Sequence, residues 1–264
     1  MTVRLTHIGG PTLLVEVGGW RILTDPTFDP PGGRYSFGLG TSSRKLSGPG
    51  VAADELGAID AVLVSHAHHG DNLDAAGRAL LPAAGTVVTT TAAAKDIGGG
   101  AVGLVPWATT VLEAPGRPTI EITATPCRHG PPLSRPVVGD VIGFSLAWEG
   151  QTDGVLWISG DTVLYDGVRD TARRLDVDLA FLHLGAVRFG LTGPVRYSMT
   201  AADAVELCRE LRPRTAVPVH YEGWSHFSQG REGIARDLAA APDDVRAVFQ
   251  MVPLGTPVEF MMGS

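Results

Sequence analysis

The chain has 264 residues, 44% apolar and 19% charged, and its 21 basic and 28 acidic side chains give a formal net charge of -7. This composition is typical of a globular protein with a large core, and the two cysteines exclude a disulfide-rich scaffold and favour a reducing cytoplasm. The excess of acid, without a block of basic residues, argues against nucleic acid as a partner.

The chain begins MTVRLTHIGG, without the apolar stretch of a secretory signal, and it contains no run of about 18 apolar residues. The sequence therefore predicts no export signal, no membrane span and a cytoplasmic location. Its length predicts one α/β domain over residues 1–264.

Short strands and tight turns dominate the N-terminal part, where Gly pairs separate apolar or alternating segments. Strands are predicted at Thr2–Ile8, Thr12–Val17 and Trp20–Thr24, in an antiparallel meander. The segment Thr27–Gly50, rich in Gly, Pro and Ser, is too long for a plain connection and is predicted to be a surface loop with a role.

Strands and helices alternate in the rest of the chain. Further strands are predicted at Ala61–Val64, Thr86–Thr90, Thr119–Thr125, Val155–Ile158, Leu179–Leu182 and Thr215–Val219. Helices are predicted at Leu73–Leu81, Gly167–Leu175, Thr200–Leu211 and Gly230–Ala240.

Histidines cluster directly after one of these strands, where three of the eight in the chain fall at His66, His68 and His69. On extended backbone the side chains of a His-x-His pair lie on one side, so both imidazoles can reach one cation. Asp71 adds an oxygen ligand or a base. The segment predicts a metal site at the end of a strand.

Three further candidates, His129, Asp161 and His220, also follow predicted strands. Taken singly, a His or Asp at a strand end more often caps a turn than binds a ligand. However, loops at the carboxyl ends of strands converge on one edge of a sheet, so these side chains can meet the histidine cluster there. Together they favour metal binding.

These motifs resemble those of the metallo-β-lactamase superfamily in order and approximate spacing. They are HAHHGDN at 66–72, RHG at 128–130, SGDT at 159–162, VHYEG at 219–223 and the opening segment at 6–26. Within the superfamily, TDP at 24–26, the loop after it and IDAVLVSH at 59–66 resemble the branch of L-ascorbate 6-phosphate lactonase and N-acyl-phosphatidylethanolamine phospholipase D.

The resemblance implies a four-layer αββα sandwich of two mixed β-sheets with outer helices and a metal cleft at one edge. It also implies a role for each candidate ligand. His66, His68 and His129 would hold a first metal, Asp71 and His220 a second, and Asp161 would bridge the two.

One departure affects the second metal. The family pattern is HxHxDH, whereas here an extra residue precedes Asp71, and Asn72 stands where a histidine is expected. Read without a gap, Gly70 replaces the aspartate and Asp71 the histidine; either way a histidine is lost, so one ion or two fit the sequence. His69 would compensate if the longer loop turned it inward, although extended backbone would point it away from its neighbours.

Hydrolysis follows from such a site, because a divalent metal lowers the pKa of its bound water from about 15.7 to near 7. We expect zinc, one ion or two, with manganese or iron as alternatives, and a metal-bound hydroxide that attacks an ester, lactone or phosphodiester bond of a small, anionic molecule. Asp71 would orient or deprotonate the water. His183 is a candidate proton donor or a buried histidine bonded to backbone.

Candidate substrate contacts are Arg34, Tyr35, Arg128 and Trp224, against the alternatives of solvated surface charge and aromatic packing. Two other functions stay open: a phosphodiesterase or nuclease on nucleic acid, and a non-catalytic binding protein with a degenerate second metal site, as Asn72 suggests. The sequence is compatible with an oligomer.

Overall fold

The computed structural model describes residues 1–263 and forms two packed β-sheets with helices on their outer faces. The strands are β1 (Thr2–Gly9), β2 (Thr12–Val17), β3 (Trp20–Thr24), β4 (Arg34–Ser36), β5 (Ser42–Arg44), β6 (Ala61–Leu63), β7 (Thr86–Thr90), β8 (Val102–Leu104), β9 (Thr109–Leu112), β10 (Ile120–Pro126), β11 (Ile142–Trp148), β12 (Val155–Ile158), β13 (Val177–His183), β14 (Thr215–Val219) and β15 (Val258–Met261). The helices are α1 (Ala75–Leu80), α2 (Thr91–Ile97), α3 (Arg135–Val138), α4 (Asp166–Arg174), α5 (Ala201–Leu211), α6 (Arg231–Ala239) and α7 (Asp243–Arg246).

Both large sheets are mixed. The first has the order β15-β1-β2-β3-β6-β7-β8, antiparallel as far as β3 and parallel beyond it. The second has the order β14-β13-β12-β11-β10-β9, parallel from β14 to β12 and antiparallel beyond. The predicted fold class and the N-terminal meander are confirmed.

The alternation of side chains along each strand builds the layers. In β6, Ala61 and Leu63 face the core between the sheets, whereas Val62 packs outward with residues of α1 and α2. In β12, Leu156 faces the same central core and Trp157 packs outward with residues of α4, α5 and α6. Because both faces of these strands are covered, they are apolar throughout.

The predicted helices are present within one or two residues of their expected bounds, as α1, α4, α5 and α6. In α5, Thr200 accepts a hydrogen bond from the backbone N–H of Asp203, and the Asp203 carboxylate accepts one from the backbone N–H of Thr200. This reciprocal cap fixes the first turn. The elements that the sequence patterns did not predict are α2, α3, α7, β4, β5, β8, β9, β11 and β15.

The long loop Thr27–Gly50 contains the short β4–β5 hairpin, whose register pairs Arg34 with Arg44. Its Lys45 is buried and forms an ion pair of 2.7 Å with Asp74, which also caps the first turn of α1. The loop is therefore anchored to the sandwich. Within the described residues 1–263, every helix is too short or too polar to cross a membrane.

Candidate metal centre

The predicted ligands follow the carboxyl ends of strands that meet at one edge of the sandwich. In the second sheet β13 and β14 are parallel to β12, and β10 is two antiparallel steps from β12, so all four point the same way. This direction brings His129, Asp161 and His220 together, and His66 joins them from the end of β6 in the first sheet. Two buried clusters of donor atoms result.

The first donor set consists of His66, His69 and His129, whose ligand atoms lie within 4.8 Å of one another. The ring nitrogens His66 Nε2 and His69 Nδ1 face each other at 3.3 Å. Nδ1 of His129 lies 2.7 Å from the Tyr197 carbonyl oxygen. Because a carbonyl only accepts, Nδ1 of His129 carries the proton and Nε2 presents a lone pair.

Burial keeps these imidazoles neutral. It lowers the pKa of His66 and of His69 well below the usual value, and it lowers the pKa of His129 to about 4 against the opposing effect of Asp71. The first donor set is thus uncharged at neutral pH, the state in which imidazole binds a metal.

His69, and not His68, groups with His66 and His129, although the ring centroid of His68 lies 4.8 Å from that of His66. Metal ligation by His68 stays a prediction. The chain does not stay extended after His66: it bends, and the His69 carbonyl accepts hydrogen bonds from the backbone N–H groups of Asn72 and Leu73. The bend brings His69 to the side of His66, while Nε2 of His68 hydrogen-bonds to the carbonyl oxygen of Val138. The backbone from His66 to His69 is therefore not extended, in contrast to the prediction for the His-x-His pair.

The second donor set consists of Asp71, Asp161 and His220, again with ligand atoms within 4.8 Å of one another. Nε2 of His220 lies 3.6 Å from Asp71 Oδ2, and Nδ1 of His220 lies 3.4 Å from Asp161 Oδ1. His220 has a left-handed backbone with φ of 56°, held by a hydrogen bond of 2.9 Å from its N–H to the carbonyl of Gly10. The first hairpin therefore positions this ligand.

Charge distinguishes the second donor set. Burial raises the pKa of Asp161 to about 7, an effect that His220 opposes and Asp71 reinforces. Burial alone would lower the pKa of His220, but the carboxylates of Asp161 and Asp71 raise it to about 9. The pKa of Asp71 is held well below its usual value because contacts with His220 and His226 outweigh its burial.

The unsatisfied atoms of this cluster fit a cation. Asp161 Oδ1 and both ring nitrogens of His220 are buried without a hydrogen bond of proper geometry among residues 1–263. Buried polar atoms normally have a hydrogen-bonding partner, so these unpaired atoms are candidates for binding a cation. Imidazoles with carboxylates are donors that zinc, manganese and iron all accept.

Two further polar residues lie beside the second donor set. Asn72 is fully buried next to Asp71 and Asp161. His226 is buried with Nε2 3.1 Å from Asp71 Oδ2, and burial lowers its pKa. The signal for His226 was its position six residues after His220, in the loop that follows the same strand.

Aromatic rings cover the cluster from two loops. Phe37, from the long loop, has its ring centroid 5.0 Å from that of His69 and 5.2 Å from those of Phe189 and His226. Phe189 lies 5.5 Å from His226. These contacts help to bury the donor atoms, and they place part of the long loop beside the cluster.

His183 lies behind the cluster. It is fully buried, with Nδ1 3.4 Å from Ser159 Oγ and Nε2 3.7 Å from Asp25 Oδ2, and its ring centroid is 5.5 Å from that of His220. Burial lowers the pKa of His183 well below its usual value. This placement favours support of His220 over proton donation to a substrate.

The four candidate substrate contacts lie in different environments. Arg34 is exposed and donates to Ser42, whereas Tyr35 donates to Asp29 and packs edge-on against the buried Trp224. Tyr35 and Trp224 thus form packing contacts. Arg128 stacks its guanidinium 4.6 Å from the ring centroid of Tyr165.

A cavity of about 380 Å³ opens beside the first donor set. Arg128 and His129 line it together with apolar residues of the β8–β9 region and the segment around α3, among them Leu104, Val105, Leu133 and Val138. Apolar and charged side chains therefore both face this cavity.

Comparisons with known proteins agree with this geometry. Residues 20–221 match the family model described as Beta-lactamase superfamily domain. UPF0173 metal-dependent hydrolases from Opitutus terrae and Pyrococcus furiosus are 31% and 29% identical, covering 83% and 84% of this chain and 85% and 86% of their own. A possible metal-dependent hydrolase from Veillonella parvula has a similar fold, with a TM-score of 0.81 at 19% identity over 98% of this chain and 99% of that chain.

Proposed function

The chain belongs to the β-lactamase superfamily domain family and resembles its UPF0173 metal-dependent hydrolases, and from this premise we propose that it hydrolyses an ester, lactone or phosphodiester bond of a small, anionic molecule. One observation carries the proposal: two adjacent, buried donor sets whose ring nitrogens and carboxylate oxygens converge. Such sets suit a divalent ion, and zinc is the ion that we propose for them.

A divalent ion held by these residues would supply a nucleophile at neutral pH and polarise the scissile group. Asp71 would orient the attacking water or take its proton at Oδ2, and His226, 3.1 Å from that oxygen, would hold the carboxylate in place. Phe37 and Phe189 would exclude bulk water from the cluster.

The substrate would lie in the cavity beside His129. Its anionic group would contact Arg128, whose Nε is buried without a hydrogen-bonding partner among residues 1–263, and its apolar part would contact Leu104 and Val138. An anionic ester, lactone or phosphodiester meets both requirements. The resemblance of residues 24–66 to the lactonase and phospholipase branch supports a lactone or a phosphodiester as the bond that is hydrolysed.

A reducing compartment is also part of this proposal, because Cys127 and Cys208 are free thiols. Cytoplasmic location stays a prediction.

The test combines metal analysis with turnover. Purified protein is loaded with zinc, manganese or iron(II), its metal content is measured, and it is assayed with an aryl ester, an aromatic lactone and a bis-aryl phosphate. We expect one or two ions per chain and metal-dependent hydrolysis of at least one compound. Bound metal without turnover on any substrate class would instead favour a binding protein.

Neighbouring histidines provide a matched pair of variants. His69→Ala should remove the metal of the first donor set and reduce turnover by at least about 100-fold, since even partners of ligands cost 10–100-fold. His68→Ala, one residue away, should retain the metal. Equal metal loss in the two variants, or loss only in His68→Ala, would restore His68 as the ligand.

A further inference from the structure

Asn72 stands where the family pattern has a histidine, yet its surroundings are those of a hydrogen-bonding residue. It is fully buried between the donor sets, with one amide atom near Asp71 and Asp161 and the other 3.3 Å from the hydroxyl oxygen of Ser65. Ser65 Oγ in turn lies 2.9 Å from Nδ1 of His66. A chain of polar contacts thus joins the second donor set to the first.

The orientation of the Asn72 amide follows from its neighbours. With its nitrogen toward the carboxylates, the amide donates to Asp71 Oδ1 and to Asp161 Oδ2, each at 3.2 Å. With its oxygen there, three acceptors would face one another in a buried space. The first orientation satisfies both N–H groups, and it leaves Asp71 Oδ2 and Asp161 Oδ1 facing His220.

This orientation also determines the tautomer of His66. The amide oxygen of Asn72 then faces Ser65 and accepts its hydroxyl proton, so Ser65 Oγ must accept from Nδ1–H of His66. Nε2 of His66 consequently carries a lone pair and faces His69 at 3.3 Å. The reverse orientation would turn the Ser65 hydroxyl proton toward Nδ1 and place a proton on Nε2, which prevents ligation.

We propose that Asn72 is a positioning residue: through Ser65 it fixes the metal-binding tautomer of His66, and through its N–H groups it fixes the carboxylates of Asp71 and Asp161. It does not replace the lost histidine as a ligand. This inference rests on the proposed metal binding. It explains how one side chain orients ligands of both donor sets for the same metal site.

Three variants test the role by zinc affinity, measured by competition with a chelator in the intact 264-residue chain. Asn72→Leu keeps the approximate volume without the hydrogen bonds and should weaken binding about 10–100-fold. Asn72→His restores the family residue and should weaken binding too, because an imidazole cannot make the three hydrogen bonds. Thr171→Val, at a buried hydroxyl in α4, is the control and should bind zinc normally.

Ser65→Ala supplies a readout independent of affinity. In zinc-loaded protein the Nδ1–H proton of His66 should give a slowly exchanging NMR signal, which Ser65→Ala should abolish while the fold is retained. Persistence of that signal in Ser65→Ala, or unchanged or tighter zinc binding by Asn72→His, would overturn the inference alone. Failure of the unaltered protein to bind any divalent metal would overturn the proposed function along with it.

Discussion

The first donor set contains three imidazoles and no charge, whereas the second contains two carboxylates and one imidazole at the same edge of the sandwich. Burial lowers the pKa of the histidines in both sets, but the net shifts are opposite. In the first it keeps His129 neutral, with a pKa of about 4, but in the second the carboxylates raise the pKa of His220 to about 9. The charge of the neighbouring side chains therefore decides whether burial determines the protonation of a histidine.

This difference in charge predicts that only one of the two donor sets must lose a proton before it binds a metal ion. Ligands of the first donor set are already deprotonated at neutral pH, so they bind a cation without releasing a proton. In the second, His220 must lose a proton before it can act as a ligand. The two donor sets should consequently differ in their response to substitution and to pH.

The largest expected effect is the loss of the second donor set. Asp161→Asn keeps the shape of the side chain but removes its charge, and should reduce kcat/KM by at least about 100-fold, more than the loss of a ligand's partner costs. The metal content should fall, but the first donor set should still bind its ion through His66, His69 and His129. Turnover within about twofold of the unaltered enzyme would show that the first set suffices.

The zinc affinities of the two donor sets should also depend differently on pH. Below a pKa of about 9 for His220, affinity of the second donor set should fall about tenfold per pH unit, and more steeply below pH 7, where Asp161 also takes up a proton. Affinity of the first set should stay constant from pH 9 down to about 5, because the pKa of His129 is lowered to about 4.

Calorimetric titration at pH 7.5 in buffers of different ionisation enthalpy checks this by counting released protons. His69→Ala isolates the second donor set and should release about one proton per zinc, whereas Asp161→Asn isolates the first and should release almost none. The same count in both variants would remove the distinction between the sets.

In the metal-free protein, the free energy of unfolding should decrease as the pH rises, because of His220. Its pKa is raised in the fold, so its contribution to the unfolding free energy is present below about pH 6.5 and lost as pH rises through about 9. Chemical denaturation of metal-free protein between pH 6.5 and 9 measures the loss, and it should be smaller in His220→Gln.

The sequence predicted the strand ends of the site well but not the path between neighbouring ligands. His66, His129, Asp161 and His220 each follow a strand. The common strand direction within the second sheet brings the last three together, and the packing of the two sheets adds His66 from β6. The grouping of His69, rather than His68, with His66 and His129 depends on a bend stabilised by hydrogen bonds to the His69 carbonyl. The alternation of side chains with a period of two holds only while the backbone stays extended. Because the chain bends in this motif, which has one extra residue, that alternation could not predict which histidine lies beside His66.

Contacts between remote loops escaped prediction for a different reason. Phe37 covers the cluster from the long loop and meets Phe189, about 150 residues later, so neither position carries a local pattern. His226 was visible only as a histidine near His220. Packing across loops is determined by the whole fold rather than by the periodicity of one segment.

The smallest expected effect is on KM for the substrate, and it should differ between substitutions of two arginines. Arg128 lines the cavity beside the first donor set, so Arg128→Ala should raise KM for an anionic substrate about tenfold with little change in kcat. Arg34→Ala, at an exposed position on β4, should leave KM within about twofold. Steady-state kinetics on matched anionic and neutral esters measures both, and the neutral ester should not distinguish Arg128→Ala from the unaltered enzyme. An equal rise in KM for both esters would mean that Arg128 shapes the cavity through its stacking on Tyr165 instead of recognising charge.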